Sequence, residues 1–281
     1  MKIIRDPKRM QAQAAAWRAE GKRIGLVPTM GYLHAGHLSL VRLAAARADV
    51  VVVSIFVNPT QFGPREDLNR YPRDFVRDRS NCRGAGVDAI FYPAAAAMYP
   101  PDYSVYVNEE RLSAGLCGAR RPGHFRGVCT VVAKLFNLVS PHVAVFGEKD
   151  AQQLRVLRRM TRDLNFPIEI VAGPIAREPD GLALSSRNTY LTPAQRRAAP
   201  ELRRALEETA ARYSAGERSA ARLRAALRRR LARIPGARVD YVELVDDATL
   251  RPVRRVEKPA LVALAVWFGK TRLIDNLRLG G

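Results

Sequence analysis

Cysteine and histidine are scarce in this 281-residue chain, which holds three of the former and four of the latter. Cys82, Cys117 and Cys129 are odd in number, lack CxxC spacing and have no histidine at zinc-ligand intervals. Neither a disulfide framework nor a structural zinc site is expected. Long apolar runs are missing too: the longest, such as Val50 to Val57, are strand-length, so no membrane span is expected. Met1 to Asp6 lead into no apolar h-region or small-residue cleavage site, which makes the cytoplasm the expected compartment. Acidic residues are few, with 27 Asp and Glu against 47 Lys and Arg, a formal charge of +20. Such a surplus suits a polyanionic partner such as RNA. Much of it, however, is arginine in the C-terminal third: Arg222, Arg224, Arg228, Arg229, Arg230 and Arg233 read as one solvated helix face. No RRM, KH or basic-aromatic signature accompanies them, and a nucleic-acid partner is not expected.

What is present is the balance of a soluble globular protein, 47% hydrophobic and 26% charged, on a chain long enough to bury a real core. From Arg23 onward short apolar runs alternate with amphipathic stretches. The pattern predicts strands over Arg23–Met30, Asp49–Val57, Val87–Tyr92, His142–Phe146 and Ile168–Val171. Helices are predicted over His34–Arg47, Phe75–Gly84, His124–Val139 and Asp150–Asn165. Asp49–Val57 has no polar alternation, as a strand buried on both faces requires. The alternation implies an α/β fold, a doubly wound and mostly parallel sheet whose ligand crevice lies beyond the carboxyl ends of its strands. After Leu184 the grammar changes to two helices, Pro193–Tyr213 and Ser219–Arg233, and strands near Asp240–Val245 and Ala260–Trp267. Two domains are expected, residues 1–175 and a smaller α+β domain over 176–281.

Two of the four histidines fall in Pro28-Thr29-Met30-Gly31-Tyr32-Leu33-His34-Ala35-Gly36-His37, where the first predicted strand meets the first helix. Three residues apart on a first helical turn, His34 and His37 would point the same way, beside unpaired N–H groups and the positive end of the helix dipole. Such a corner suits a polyphosphate, and Gly36 leaves room for a nucleotide against the backbone. The same spacing also arises as a chance pair on a helix surface.

The HxGH string in this place resembles the nucleotidylyltransferase superfamily, and Pro28 to Val41 is similar in particular to the pantothenate synthetase family. Further blocks follow in order: Ser54–Gly63 with Tyr71-Pro72-Arg73, Arg121–Val128, Phe146–Leu154, Asp180–Asn188 and the terminal Leu273-Ile274-Asp275-Asn276. Tyr32, Ala35 and Ala151 depart from the family pattern, and none of them removes a group with chemistry to do.

The resemblance implies a Rossmann-like catalytic domain and an ATP-consuming ligase that activates pantoate as its adenylate and passes the pantoyl group to β-alanine. Its ATP site would comprise Met30, Gly31, His34, Gly36, His37, Gly147, Glu148, Lys149, Asp150, Ala176, Leu184, Ser185, Ser186 and Arg187. Of these, His34, His37, Lys149, Ser186 and Arg187 would carry the chemistry. Gln61 and Gln153 would hold pantoate, with Gln61 also serving β-alanine; a neutral amide both donates and accepts, as such a ligand needs. Mg²⁺ would be bound mainly through ATP, since no carboxylate cage is evident, and the resemblance implies a homodimer. Residues 176–281 would cover the site and carry the Ser-Ser-Arg loop, which on its own reads as a helix-capping turn. Arg121 and His124 belong to a block near the site. Asp78 reads as a solvated helix carboxylate, with a role in holding Mg²⁺ as the alternative. His142 reads as a surface histidine at a strand entry, and Trp17 and Trp267 as core. Another HxGH adenylyltransferase with a different acceptor stays open, as does an RNA-binding protein on the same scaffold.

Overall fold

Val50–Ile55, the apolar run without polar alternation, is buried at every residue. It forms a central strand of a parallel sheet, where both faces are covered. The computed structural model describes residues 1–64 and 66–280. Elements run as β1 (Lys2–Ile4), α1 (Pro7–Ala19), β2 (Ile24–Thr29), α2 (Ala35–Ala45), β3 (Val50–Ile55), α3 (Phe75–Gly84) and β4 (Ala89–Phe91). Next come α4 (Ala95–Met98), α5 (Leu116–Arg120), α6 (His124–Val139), β5 (Val143–Gly147), α7 (Ala151–Asp163) and β6 (Glu169–Gly173). The last are α8 (Pro193–Ala198), α9 (Glu201–Ser214), α10 (Ala220–Ala232), β7 (Ala237–Asp246), β8 (Ala260–Phe268) and β9 (Thr271–Leu279). None of the described helices is long and apolar enough to cross a membrane.

The chain divides into two compact units. One comprises Met1–Glu110, Arg121–Glu148 and Gln153–Pro174; the other comprises Arg111–Arg120, Lys149–Gln152 and the chain from Ile175 onward. The first unit holds a six-stranded sheet in the order β1-β4-β3-β2-β5-β6, all neighbours parallel. α2 and α3 cover one face through Leu40, Val41, Ala44 and Cys82 on Val27, Val51, Val53 and Val143. α1 and α6 pack on each other and on β2. Burial pushes the thiols of Cys82 and Cys129 up to about 12. From β2 the chain steps through β3 to β4 on one side, then returns through β5 to β6 on the other. The order therefore reverses between β2 and β5, and the crevice of a doubly wound sheet opens beyond Thr29 and Gly147, where those strands end.

β1 and α1 are not in the sequence-based expectation, although Asp6-Pro7 is a helix start: Asp6 Oδ1 accepts the Arg9 N–H at 2.8 Å, and Pro7 sits where its missing N–H costs nothing. Trp17 is core as expected, whereas Trp267 is half-buried under the Arg238 guanidinium. His142 is tied in rather than merely at the surface, its Nδ1 accepting the Ile24 N–H at 2.9 Å.

In the second unit β7, β8 and β9 form an antiparallel sheet packed on α9 and α10 by Leu202, Leu206, Leu223, Leu227, Val262 and Leu264. The single helix expected over Pro193–Tyr213 is broken in two at Pro200, which has no N–H for the helical ladder. β9 extends well beyond the Leu273-Ile274-Asp275-Asn276 motif that lies within it. The arginine face of α10 is partly neutralised. Arg222 meets Glu217 at 2.6 Å, Arg224 meets Glu243 at 3.1 Å, and the half-buried Arg230 pairs with Glu201 and Glu208.

Candidate active site

The histidine turn is built from its backbone outward. Thr29 ends β2 with its hydroxyl donating to Ser54 O at 2.8 Å and accepting the Gly31 N–H at 3.1 Å. Gly31 and Tyr32 then both take left-handed backbone, with φ of 83° and 52°. Gly31 has no alternative, since a Cβ there would lie 2.9 Å from Ile55 Cγ2 and 3.0 Å from Asp78 Oδ2. Asp78, from the first turn of α3, accepts the Tyr32 N–H at 2.8 Å and the Leu33 N–H at 2.7 Å. It is 1% exposed, so the expected solvated carboxylate is instead a buried brace beneath the turn. Burial raises its pKa above the usual carboxylate value, against the pull of the two N–H groups.

His34 is the N-cap of α2, one step before the first helical turn on which it was expected, and His37 is the third helical residue. The rings still meet, with centroids 4.0 Å apart and planes 33° to each other. His37 Nδ1 accepts the His34 N–H at 3.3 Å, which in a neutral ring leaves the proton on Nε2 as a donor. Two imidazoles at a helix N-terminus, beyond the carboxyl end of β2, give a place where phosphate oxygens meet oriented donors.

Gln61 closes a one-turn 3₁₀ segment, Pro59–Gln61. Buried Asn58 accepts the Thr60 hydroxyl at 3.0 Å and donates to Gly127 O on α6 at 3.1 Å. A Cβ on Gly127 would stand 2.2 Å from Thr60 O, so the turn and α6 touch backbone to backbone. Gln61 O receives His124 Nδ1 at 2.9 Å and Arg121 at 3.2 Å.

Gly147 and Glu148 sit at the carboxyl end of β5, and a single 3₁₀ turn, Glu148–Asp150, leads into α7. Of the two glutamines there, Gln152 is consumed by structure: it accepts the Cys117 N–H at 2.9 Å and donates to Leu112 O and Gly115 O at 2.8 Å each. Gln153 is half-buried.

Within the second unit Lys149 is fixed by its backbone, its carbonyl accepting Asn276 Nδ2 at 3.0 Å, while its ammonium lies 3.8 Å from Asp150. Ala176 and Leu184 are joined by a 2.9 Å backbone hydrogen bond. Ser185 caps the 3₁₀ segment Ser186–Tyr190, accepting the Arg187 N–H at 3.3 Å, and Ser186 is buried. The loop that leads there is braced by residues to which the sequence reading gave no role. Arg177 pairs with Asp275 of β9 through two bonds of 2.7 and 2.9 Å and donates to Gly181 O at 3.0 Å.

A doubly wound parallel sheet with an HxGH turn at its switch point defines a nucleotide-handling α/β protein. The comparisons narrow this: residues 2–278 match the model of the pantoate-beta-alanine ligase family, and the chain belongs to that family. It is 56% identical over 280 residues to the pantothenate synthetase of Thermotoga neapolitana, covering 100% of both chains. It is 57% identical over 279 residues to that of Moorella thermoacetica, covering 99% of each. Among solved structures, pantothenate synthetase from Thermus thermophilus superposes with a TM-score of 0.94 at 47% identity, over 100% of each chain. The pantoate-beta-alanine ligase of Francisella tularensis, complexed with beta-gamma ATP and beta-alanine, superposes with a TM-score of 0.81 at 32% identity, over 99% of this chain and 97% of that one.

Proposed function

We propose that this protein is an AMP-forming ligase that condenses pantoate with β-alanine through a pantoyl adenylate. The observation that carries the reading is the histidine turn at the switch point, in a chain matched almost end to end by one ligase family. A pantoate carboxylate oxygen bonds to the α-phosphorus of ATP as the bond to the bridging oxygen breaks, and pyrophosphate leaves. The amine of β-alanine then bonds to the acyl carbon, the acyl–phosphate bond breaks to free AMP, and the nitrogen loses a proton. Neither step needs a covalent nucleophile on the protein; alignment and charge neutralisation suffice.

His37 would donate Nε2–H to the departing phosphates, with His34 beside it. The family resemblance adds Lys149, Ser186 and Arg187 as further phosphate partners. Met30, Gly31, Gly36, Gly147, Glu148, Asp150, Ala176, Leu184 and Ser185 would frame the nucleotide. Gln61 and Gln153 would hold pantoate, and Gln61 also β-alanine. Among the described residues no three or more His, Cys, Asp or Glu side chains gather as a metal cage. By the family resemblance Mg²⁺ would be held mainly by the ATP phosphates, where it would supply further charge neutralisation. A cytoplasmic homodimer completes the reading.

Purified protein given ATP should form AMP only when pantoate and β-alanine are present together. AMP formation that ignores pantoate, or accepts an unrelated acid equally well, would overturn the proposal.

A further inference from the structure

The residues that grip Gln61 do so at its backbone. Its carbonyl takes two hydrogen bonds, from His124 Nδ1 at 2.9 Å and from the Arg121 guanidinium at 3.2 Å. Arg121 is itself held fork to fork by Glu66, at 2.7 and 2.5 Å, and its remaining terminal nitrogen faces His124 Nε2 at 2.9 Å. A guanidinium can only donate, so Nε2 accepts, and the ring proton sits on Nδ1, aimed at Gln61 O. The bonds close a ring in which each donor and acceptor has one available sense. Four of the five N–H groups of Arg121 are spent in it, which suits a brace and leaves little for a substrate carboxylate.

A one-turn 3₁₀ segment has poor internal hydrogen-bond geometry and holds its shape only when packed and bonded from outside. α6 supplies part of that support, Gly127 in backbone contact with Thr60 and its carbonyl bonded to Asn58. The Glu66–Arg121–His124 ring, which includes the first residue of α6, supplies the rest at Gln61 O. We infer that Arg121, His124 and Glu66 are positioning residues that set the Gln61 peptide plane, and so tune affinity for the acid and the amine while leaving nucleotide affinity alone. The inference rests on the proposed role of Gln61. Burial drives the Glu66 carboxyl up, but its hydrogen bonds and charge interaction with Arg121 outweigh this and hold it below the usual carboxylate value. It therefore stays an anion, as the fork requires.

The test measures KM for pantoate and ATP in pantoate-dependent pyrophosphate–ATP exchange, and KM for β-alanine in the full reaction. The proteins are wild type, His124→Ala, His124→Asn, Glu66→Gln and Gln61→Ala, with thermal unfolding as the check on folding. Asparagine places an amide N–H where Nδ1 stands, so it keeps the bond to Gln61 O that alanine loses. His124→Ala should raise the KM for pantoate and β-alanine about tenfold, the scale of one hydrogen bond, with ATP changed less than about twofold. His124→Asn should recover most of the loss. In a Gln61→Ala background His124→Ala should add little, because the group it positions is gone. If His124→Ala does not fold, Glu66→Gln should show the same split. Parallel changes for ATP and pantoate, an asparagine variant no better than alanine, or full additivity with Gln61→Ala would each overturn the clamp. Failure of the underlying reading looks different: wild type would show no pantoate-dependent exchange, or Gln61→Ala would leave the pantoate KM unmoved, and either removes the role claimed for the clamp.

Discussion

Asp78 and Leu33 lie 45 positions apart in the chain, yet the Asp78 carboxylate holds the Leu33 N–H at 2.7 Å one residue before the first histidine. Its other oxygen holds the Tyr32 N–H, so a single side chain fixes both peptides of a turn whose left-handed backbone is unfavourable in itself. Asp78→Asn offers one acceptor in place of two and sets an amide N–H group against a backbone donor. The cost should be about 1–3 kcal/mol of stability, the penalty of a buried donor left unmet. Hydrogen exchange at Tyr32 and Leu33 should accelerate and pyrophosphate–ATP exchange should fall. Unchanged protection of those two amides would show that the turn holds itself.

If His37 donates to the departing phosphates, as proposed, its loss should be felt in the first half-reaction. His37→Ala should slow adenylate formation by about 10²–10³, the scale of one preorganised donor. Release of pantothenate from supplied pantoyl adenylate and β-alanine makes no pyrophosphate and should stay near normal. Equal damage to both steps would move His37 from phosphate donor to shaper of the pocket.

The pair of Asp275 and Arg177 is buried on the acidic side, with the Asp275 side chain 3% exposed and that of Arg177 18%. Asp275→Ala strands a guanidinium in a largely buried place, which costs about 3–5 kcal/mol. Because Arg177 also holds Gly181 O, loosening should spread along the loop toward Ser185. Faster hydrogen exchange over residues 177–188 together with a raised KM for ATP is the expected pattern; a lowered Tm with unchanged exchange there would confine the pair to the core of its own unit.

Glu66 has a folded-state pKa below its ordinary value, so its ionised form is favoured by folding. Its contribution is fully present above the unfolded pKa and is lost as the pH falls through the depressed folded value. Wild type should therefore be more stable than Glu66→Gln at neutral pH, and the gap in Tm should close on acidification below about pH 4.5, the ordinary glutamate value. A gap independent of pH would mean that the Arg121 fork does not depend on the charge.

What the sequence made legible was what it carries locally. His34 and His37 stand three apart, the Gly147–Asp150 turn directly follows its strand, and α6 runs over His124–Val139 as its apolar spacing predicts. The braces were not legible, because each joins distant segments. Asp78 looks like any helix carboxylate until α3 is laid against the histidine turn, and Arg177 meets Asp275 across 98 positions. Two further features are local in the sequence. Pro200 forbids one continuous helix over Pro193–Tyr213, and Thr271 to Leu279 buries mainly its odd-numbered positions, as a strand with one covered face does. Gln152 and Gln153 cannot be told apart by residue type; the family resemblance points to Gln153, and the three hydrogen bonds of Gln152 show its amide taken up by structure.

Burial of two of the three thiols has a practical side. Burial pushes the thiols of Cys82 and Cys129 well above the usual range, so little thiolate forms at neutral pH, and both are closed off from solvent. Cys117 is the partly exposed one, and its sulfur lies 3.6 Å from the Arg272 guanidinium. A maleimide fluorophore should therefore attach at one place in the native enzyme. The dye would sit in the second unit, on the residue whose N–H is held by Gln152, and would report on that local environment without any cysteine having to be engineered in or out.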